Sequence, residues 1–214
     1  LFESLLCEDE KIKANKFKFN KDKYTYIIAR GALRLLLGKY LKVTPKSISF
    51  YYGAYGKPSV ENNDGLMFNV SHSKNLIVIG FTKNNEIGVD VEHIKTDFDV
   101  MDIVANYFSK SEIAFINGLS KADQTEIFYR GWTRKEAFIK ANAKGLSFPL
   151  DAFSISLDSD NSAELYETHY DTNEKNNWRI IPFDTLPEYK GALAVRGEVK
   201  RVDYLKFDMQ QLGK

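Results

Sequence analysis

The chain has 214 residues, 43% of them hydrophobic and 14% aromatic, which is enough apolar surface for one large or two small packed domains and too much for a disordered chain. Its 30 basic and 29 acidic residues leave a formal net charge of +1, so no global field favours nucleic acid or an anionic membrane, and any anion recognition must be local. The single cysteine, Cys7, excludes an internal disulfide and a thiolate metal cluster, in keeping with a reducing, cytoplasmic setting.

No apolar run approaches the roughly 20 residues of a membrane-spanning helix, and Glu8, Asp9 and Glu10 interrupt the opening stretch where a signal peptide stays apolar. Because residue 1 is Leu, further native residues are expected before it. From Tyr24 to Leu41 the apolar positions Ile27, Ile28, Leu33, Leu35, Leu36, Leu37 and Tyr40 recur at helical intervals, with Arg30 and Arg34 among them. This predicts one long amphipathic helix, stopped before Pro45. Ser47 to Tyr52 predicts a short aromatic strand, Gly53 to Pro58 a loop that presents Lys57, and Met67 to Val70 a strand ending at Ser71-His72. Leu76 to Thr82 and Ile87 to Glu92 are β-rich runs separated by Lys83-Asn84-Asn85-Glu86, punctuation that predicts a hairpin between them.

Lys95 to Asp99 reads as a polar link, followed by short helices over Val100 to Phe108 and Ser111 to Leu119. Asp123 with Glu126 resembles a capping pair, and Ile127, Phe128, Trp132, Ala137, Phe138 and Ile139 carry a second long helix toward Lys144-Gly145. Strands are predicted over Phe153 to Leu157, Ala163 to Tyr166, Trp178 to Phe183 and Gly191 to Val195. The expected class is α+β, with an N-terminal lobe of residues 1–95 and a C-terminal lobe of 96–214, each a long helix with a small antiparallel sheet.

Strand alternation projects Asp90 and Glu92 from one face while Val89 and Val91 point the other way. Such a pair is either an ordinary solvated face or a site for a divalent cation that relieves the repulsion, and hard oxygen ligands favour Mg²⁺. Trp132, Glu136 and Lys140 stack at intervals of four, which suits either a surface Glu-to-Lys pair or a third carboxylate aimed at a metal beside a phosphate-facing lysine. His72, flanked by Ser71 and Ser73, and Lys57 in Gly56-Lys57-Pro58 are candidate phosphate donors, although each also suits a plain surface position. Lys11, Lys13 and Lys16 form a basic cluster near the start; His93 and His169 read as surface residues.

Phe68-Asn69-Val70-Ser71-His72-Ser73, then Gly88-Val89-Asp90-Val91-Glu92, Phe108-Ser109-Lys110-Ser111-Glu112 and Trp132-Thr133-Arg134-Lys135-Glu136-Ala137-Phe138-Ile139-Lys140 with Gly145-Leu146 resemble, in order and spacing, the 4′-phosphopantetheinyl transferases of the surfactin-synthetase-activating type. The resemblance implies a pseudo-twofold monomer with coenzyme A in a cleft between the two lobes. It further implies Mg²⁺-dependent transfer of phosphopantetheine from coenzyme A to a serine of an acyl or peptidyl carrier protein. By carry-over, Asp90, Glu92 and Glu136 match the metal carboxylates, Lys140 a diphosphate-contacting lysine, and Lys57, Ser71, His72 and Lys140 the coenzyme A contacts. Glu136 and Lys140 are the expected catalytic residues, with Glu136, anchored on its helix beside Trp132, the first candidate to accept the serine proton and Glu92 or a metal-bound water the alternative. Carrier recognition is expected around Val100 to Lys121, through Ile103, Phe108, Ile113 or Phe115 unless these pack in the core. A non-catalytic module binding coenzyme A or a carrier, and a hydrolase of another diphosphate, remain open on the residues alone.

Overall fold

The computed structural model describes residues 1–61, 63–143, 145 and 148–208. Its helices are α1 (Phe2–Leu5), α2 (Glu8–Asn15), α3 (Asn20–Leu41), α4 (Met101–Tyr107), α5 (Lys110–Asn117) and α6 (Lys121–Asn142). The strands are β1 (Phe50–Tyr52), β2 (Pro58–Val60), β3 (Leu66–Ser73), β4 (Leu76–Lys83), β5 (Ile87–His93), β6 (Phe153–Ile155), β7 (Leu165–Thr168), β8 (Trp178–Pro182) and β9 (Tyr189–Arg196). Helices combined with small antiparallel sheets make the class α+β, as the sequence predicts. Among the described residues no helix is long and apolar enough to cross a membrane.

Two compact units divide the chain, one of Leu1–Tyr51, Val60–Asp64 and the segment from Lys200, the other of Tyr52–Ser59 and Gly65–Val199. In the first, α3 starts four residues before the predicted helix and ends at Leu41, where Lys42 takes a left-handed conformation (φ 57°). Its Arg30 and Arg34, four residues apart, are both buried. The Arg34 guanidinium donates to Glu10 Oε2 (2.8 Å), to the carbonyls of Pro45 and Ile48 (2.7 and 3.0 Å) and to Cys7 Sγ (3.0 Å), so burial here is matched by hydrogen bonds. Leu6, Ala14 and Ile27 form the apolar cluster beside it.

The second unit is built on α6. Its first turn is capped by Ser120, whose Oγ accepts from Asp123 N–H (3.4 Å) and donates to Asp123 Oδ2 (2.6 Å). The helix therefore begins two residues before the predicted Asp123 start, because the Ser-x-x-Asp spacing supplies the cap. The helix ends at a left-handed Ala143 (φ 56°); Lys144 and Leu146 lie outside the described residues. One side packs Ala137, Phe138 and Ala141 against Phe153, Ile155, Trp178 and Ile180, and toward its start Ile127 and Phe128 pack with Val104, Phe108 and Ile116.

The strand pairing corrects one expectation. β4 pairs not with β5 but with β3, in a hairpin whose two-residue turn, Lys74-Asn75, separates Ser73 from Leu76. β5 instead joins an antiparallel sheet in the order β5-β9-β8. The turn-forming residues 83–86 do reverse the chain, and the left-handed Asn84 (φ 62°) donates its N–H to Gly65 O (2.7 Å), but composition marks a turn without fixing what pairs across it. β3 is also longer than predicted, so Ser71 and His72 lie inside the strand.

Candidate active site

Strand β5 is buried along Ile87–Val91, with α6 on one face and β4 on the other. A Cβ on Gly88 would come within 2.0 Å of Ala137 O and 2.3 Å of Ala141 N, so that face of the strand rests directly on the backbone of α6. Alternation puts Asp90 and Glu92 on the same face as Gly88, toward the helix. The opposite face meets β4, where a Cβ on Gly80 would lie 2.6 Å from Val89 Cγ1. Glycine at 88 thus sets the distance between the strand that carries two acids and the helix that carries the third.

On α6 the predicted stripe is present. From Gly131 to Lys140 only Trp132, Glu136 and Lys140 keep partial exposure, and every other position is buried. Lys140 does not pair with Glu136 as a surface i,i+4 couple would. Its Nζ donates to Asp90 Oδ1 (2.5 Å) and Ser71 Oγ (3.1 Å). Asp90 is 3% exposed; its Oδ1 also accepts from Ser71 Oγ (2.8 Å), while its buried Oδ2 has no hydrogen-bond partner. Glu92 Oε2 accepts from Ser73 Oγ (2.7 Å).

Burial raises the Glu136 carboxyl above the ordinary glutamate value, and the Asp90 and Glu92 charges push the same way against the lowering pull of Lys140. Burial likewise raises Glu92, with Asp90 adding to it and the Ser73 hydroxyl opposing. The three acids therefore feel one another. Among the described residues no three His, Cys, Asp or Glu side chains stand together as a ready-made metal cluster; a lysine ammonium holds the first acid. The donor set is nonetheless one of hard oxygens with an unused buried lone-pair atom, Asp90 Oδ2, which fits a hard divalent cation such as Mg²⁺.

The other candidate residues separate. Ser71 is buried at the centre of this group, whereas His72 points to the exposed side of β3. Lys57 donates to the carbonyls of Ile87 (2.9 Å) and Ala141 (3.0 Å), tying the start of β5 to the last turn of α6. Burial lowers its amine to about 8. Because the unfolded chain holds that proton up to the ordinary 10.5, it binds more protons than the folded chain between about 8 and 10.5, and stability contributed at Lys57 rises with pH across that window. Urea unfolding of the parent and of Lys57→Met should show the parent gaining on the variant between about pH 7 and about pH 10.

Of the four apolar residues proposed for carrier recognition, Phe108 is buried and Ile103 and Ile113 pack partly buried on the core, leaving Phe115 exposed. His93 sits edge-on to Tyr189 at 4.9 Å, and His169 is exposed beside Glu167. What sequence reasoning missed is the division of labour in Lys135-Glu136. Lys135 points away from the acids into the core, where its Nζ donates to both Glu112 oxygens (3.0 and 2.7 Å) and to Phe153 O (2.8 Å). Glu112 also accepts from Ile155 N–H and, as the α5 capping box, from Ser109 N–H, each at 2.8 Å. The signal was present as the Ser-x-x-Glu spacing of residues 109–112, which marks a helix start and not a ligand site.

Residues 86–194 match the family described as the 4′-phosphopantetheinyl transferase superfamily, and residues 1–84 match the N-terminal family of 4′-phosphopantetheinyl transferases. The chain is 32% identical to the 4′-phosphopantetheinyl transferase Sfp of Bacillus subtilis over 90% of its own length and 83% of that protein's. It is 34% identical to HetI of Nostoc, also a 4′-phosphopantetheinyl transferase, over 75% and 68% respectively. A holo-[acyl-carrier-protein] synthase structure from Thermotoga maritima overlaps 54% of this chain and 64% of its own, at 21% identity and a TM-score of 0.43. With the first of these matches spanning half of the sequence and relatives above 30% identity covering most of it, the chain belongs to the 4′-phosphopantetheinyl transferase superfamily.

Proposed function

We propose that the protein transfers 4′-phosphopantetheine from coenzyme A to a serine hydroxyl of an acyl or peptidyl carrier protein. The observation that carries the reading is the meeting of Lys140 and Ser71 on buried Asp90, beside two further acids, Glu92 and Glu136, whose carboxyls burial and the Asp90 charge raise above the ordinary value. Asp90, Glu92 and Glu136 would hold a Mg²⁺ ion, which when bound supplies charge neutralisation on the diphosphate oxygens. Lys140, freed from Asp90, offers its ammonium to the same diphosphate. Ser71, His72 and Lys57 are assigned to coenzyme A binding. Glu136 accepts the proton of the carrier serine, a role suited to a carboxyl whose basicity burial has increased. The serine oxygen then bonds to the phosphorus bearing pantetheine as that phosphorus releases the bridging oxygen, and adenosine 3′,5′-bisphosphate leaves. The functional lobes of residues 1–95 and 96–214, their pseudo-twofold relation with the site in the cleft between them, the monomeric state and the cytoplasmic location belong to this same proposal.

Incubation with coenzyme A, Mg²⁺ and an apo carrier protein is expected to raise the carrier's intact mass by one phosphopantetheine. Asp90→Ala and Glu136→Ala should each lose most of that activity, by about 10²-fold or more, while keeping the parent's circular dichroism spectrum. Failure of every carrier in a panel of fatty-acid, polyketide and peptide types would defeat the proposal. Coenzyme A binding in calorimetry without transfer would replace it with a binding module.

A further inference from the structure

β5 has hydrogen-bonding edges on both sides, and its partner β9 serves only one. The ladder to β9 runs through even-numbered residues, as Arg196 N–H to Glu86 O (3.0 Å) and Ile94 N–H to Glu188 O (2.7 Å) show at its two ends. The N–H groups of Val89, Val91 and His93 consequently face the other edge, where no strand backbone pairs with them among the described residues. Buried donors of this kind need an acceptor. Three side chains of β3 provide it at matching intervals: Val89 N–H donates to Asn69 Oδ1 (2.9 Å), Val91 N–H to Ser71 Oγ (3.3 Å) and His93 N–H to Ser73 Oγ (3.1 Å).

These three residues invert the usual pattern of a strand. Asn69, Ser71 and Ser73 are all buried, whereas on the opposite face Phe68 is buried, Val70 half-buried and His72 exposed. Two of them also donate onward to the acids: Ser71 Oγ to Asp90 Oδ1 (2.8 Å) and Ser73 Oγ to Glu92 Oε2 (2.7 Å). A hydroxyl has one hydrogen and two lone pairs, so the Ser73 oxygen that accepts from His93 N–H still has its hydrogen for Glu92. Each serine thereby fixes a carboxylate relative to the backbone of the strand that carries it. Asn69 has no acid opposite and anchors the start of the row, at Val89 beside Gly88.

We infer that Asn69 and Ser73 are positioning residues of the reaction: with Ser71 they form a side-chain comb on β3 that replaces a backbone ladder and orients the β5 carboxylates toward α6. The inference rests on the proposed function, since it needs a ligand for the oriented acids to meet. Its substance is that outer hydrogen bonds to carboxylate ligands govern how well the inner set grips a cation.

The test is Mn²⁺ binding in the presence of coenzyme A, read by electron paramagnetic resonance with a coenzyme A-only blank, on the parent, Ser73→Ala, Ser73→Thr, Asn69→Ala and Ser109→Ala. Ser73→Ala, which removes a hydrogen bond to a carboxylate, is expected to bind roughly 10- to 100-fold more weakly, and Asn69→Ala, which frees only the Val89 N–H of the carrying strand, to bind more weakly by a smaller factor. Ser73→Thr keeps both the acceptor and the donor and should restore binding close to the parent. Ser109→Ala removes a buried helix cap away from the acids, so it should lose stability and keep its Mn²⁺ affinity. Parent-like binding by Ser73→Ala, or a threonine variant as weak as the alanine one, overturns the positioning role alone. A parent that binds no Mn²⁺ overturns the proposed metal site and the positioning role with it.

Discussion

Gly88→Ala is expected to cost about 3 kcal/mol of unfolding free energy and to abolish phosphopantetheine transfer, because overpacking a close contact costs about 1–3 kcal/mol and here the obstructing atoms are backbone. The added methyl would sit 2.0 Å from Ala137 O and 2.3 Å from Ala141 N, and neither atom can rotate aside as a side chain would. Relief requires β5 and α6 to part, which moves Asp90 and Glu92 away from Glu136 and Lys140. Gly118→Ala is the matching control, since a Cβ there finds nothing nearer than Phe115 O at 3.5 Å, and its effect should stay within about 0.5 kcal/mol. Urea unfolding followed by circular dichroism, with the carrier mass assay beside it, measures both effects. An unchanged midpoint for Gly88→Ala would mean that the strand and helix are not in direct contact.

Lys135→Met should destabilise by about 3–5 kcal/mol, the usual consequence of leaving one member of a buried ion pair alone. Both side chains are fully buried, and burial lowers the Lys135 amine while the Glu112 charge resists that change. The methionine would leave Glu112 charged in the core, still held by Ser109 and Ile155 N–H. Glu112→Gln added to Lys135→Met should recover part of the loss by removing that charge, although one amide oxygen serves two backbone donors less well than a carboxylate. The double-mutant cycle then gives the coupling energy of the pair. A single variant costing under about 1 kcal/mol would contradict the buried pair. The adjacent residues 135 and 136 thus separate cleanly, one clamping α6 to α5 and β6 while the other faces the acids of β5.

The helical part of this site was legible in the sequence because its period is local. Trp132, Glu136 and Lys140 at spacing four predict one stripe, and the stripe is the half-exposed one. The same holds for Asp90 and Glu92, whose alternation fixes a shared face whatever the strand pairs with. Pairing itself is long-range, and there the turn residues 83–86 misled: they announce a reversal, while β5 finds β9 about a hundred residues onward in the chain. The polar run Asn69, Ser71, Ser73 reads as a solvent face by every local rule, since nothing local reveals that the adjoining strand lacks a backbone neighbour. Arg34 and Lys135 were obscured for a related reason, because a charge is buried only when partners distant in sequence receive it.

The comb on β3 also dictates how this stretch of the gene can change. Inserting or deleting one codon between Phe68 and Ser73 would rotate part of the row to the opposite side, placing valine or histidine where a hydroxyl is needed. Adding or removing two would restore the facing yet leave only one of the two serines opposite an acid, and that one the wrong acid. The spacing between the asparagine and the second serine therefore has a single workable length.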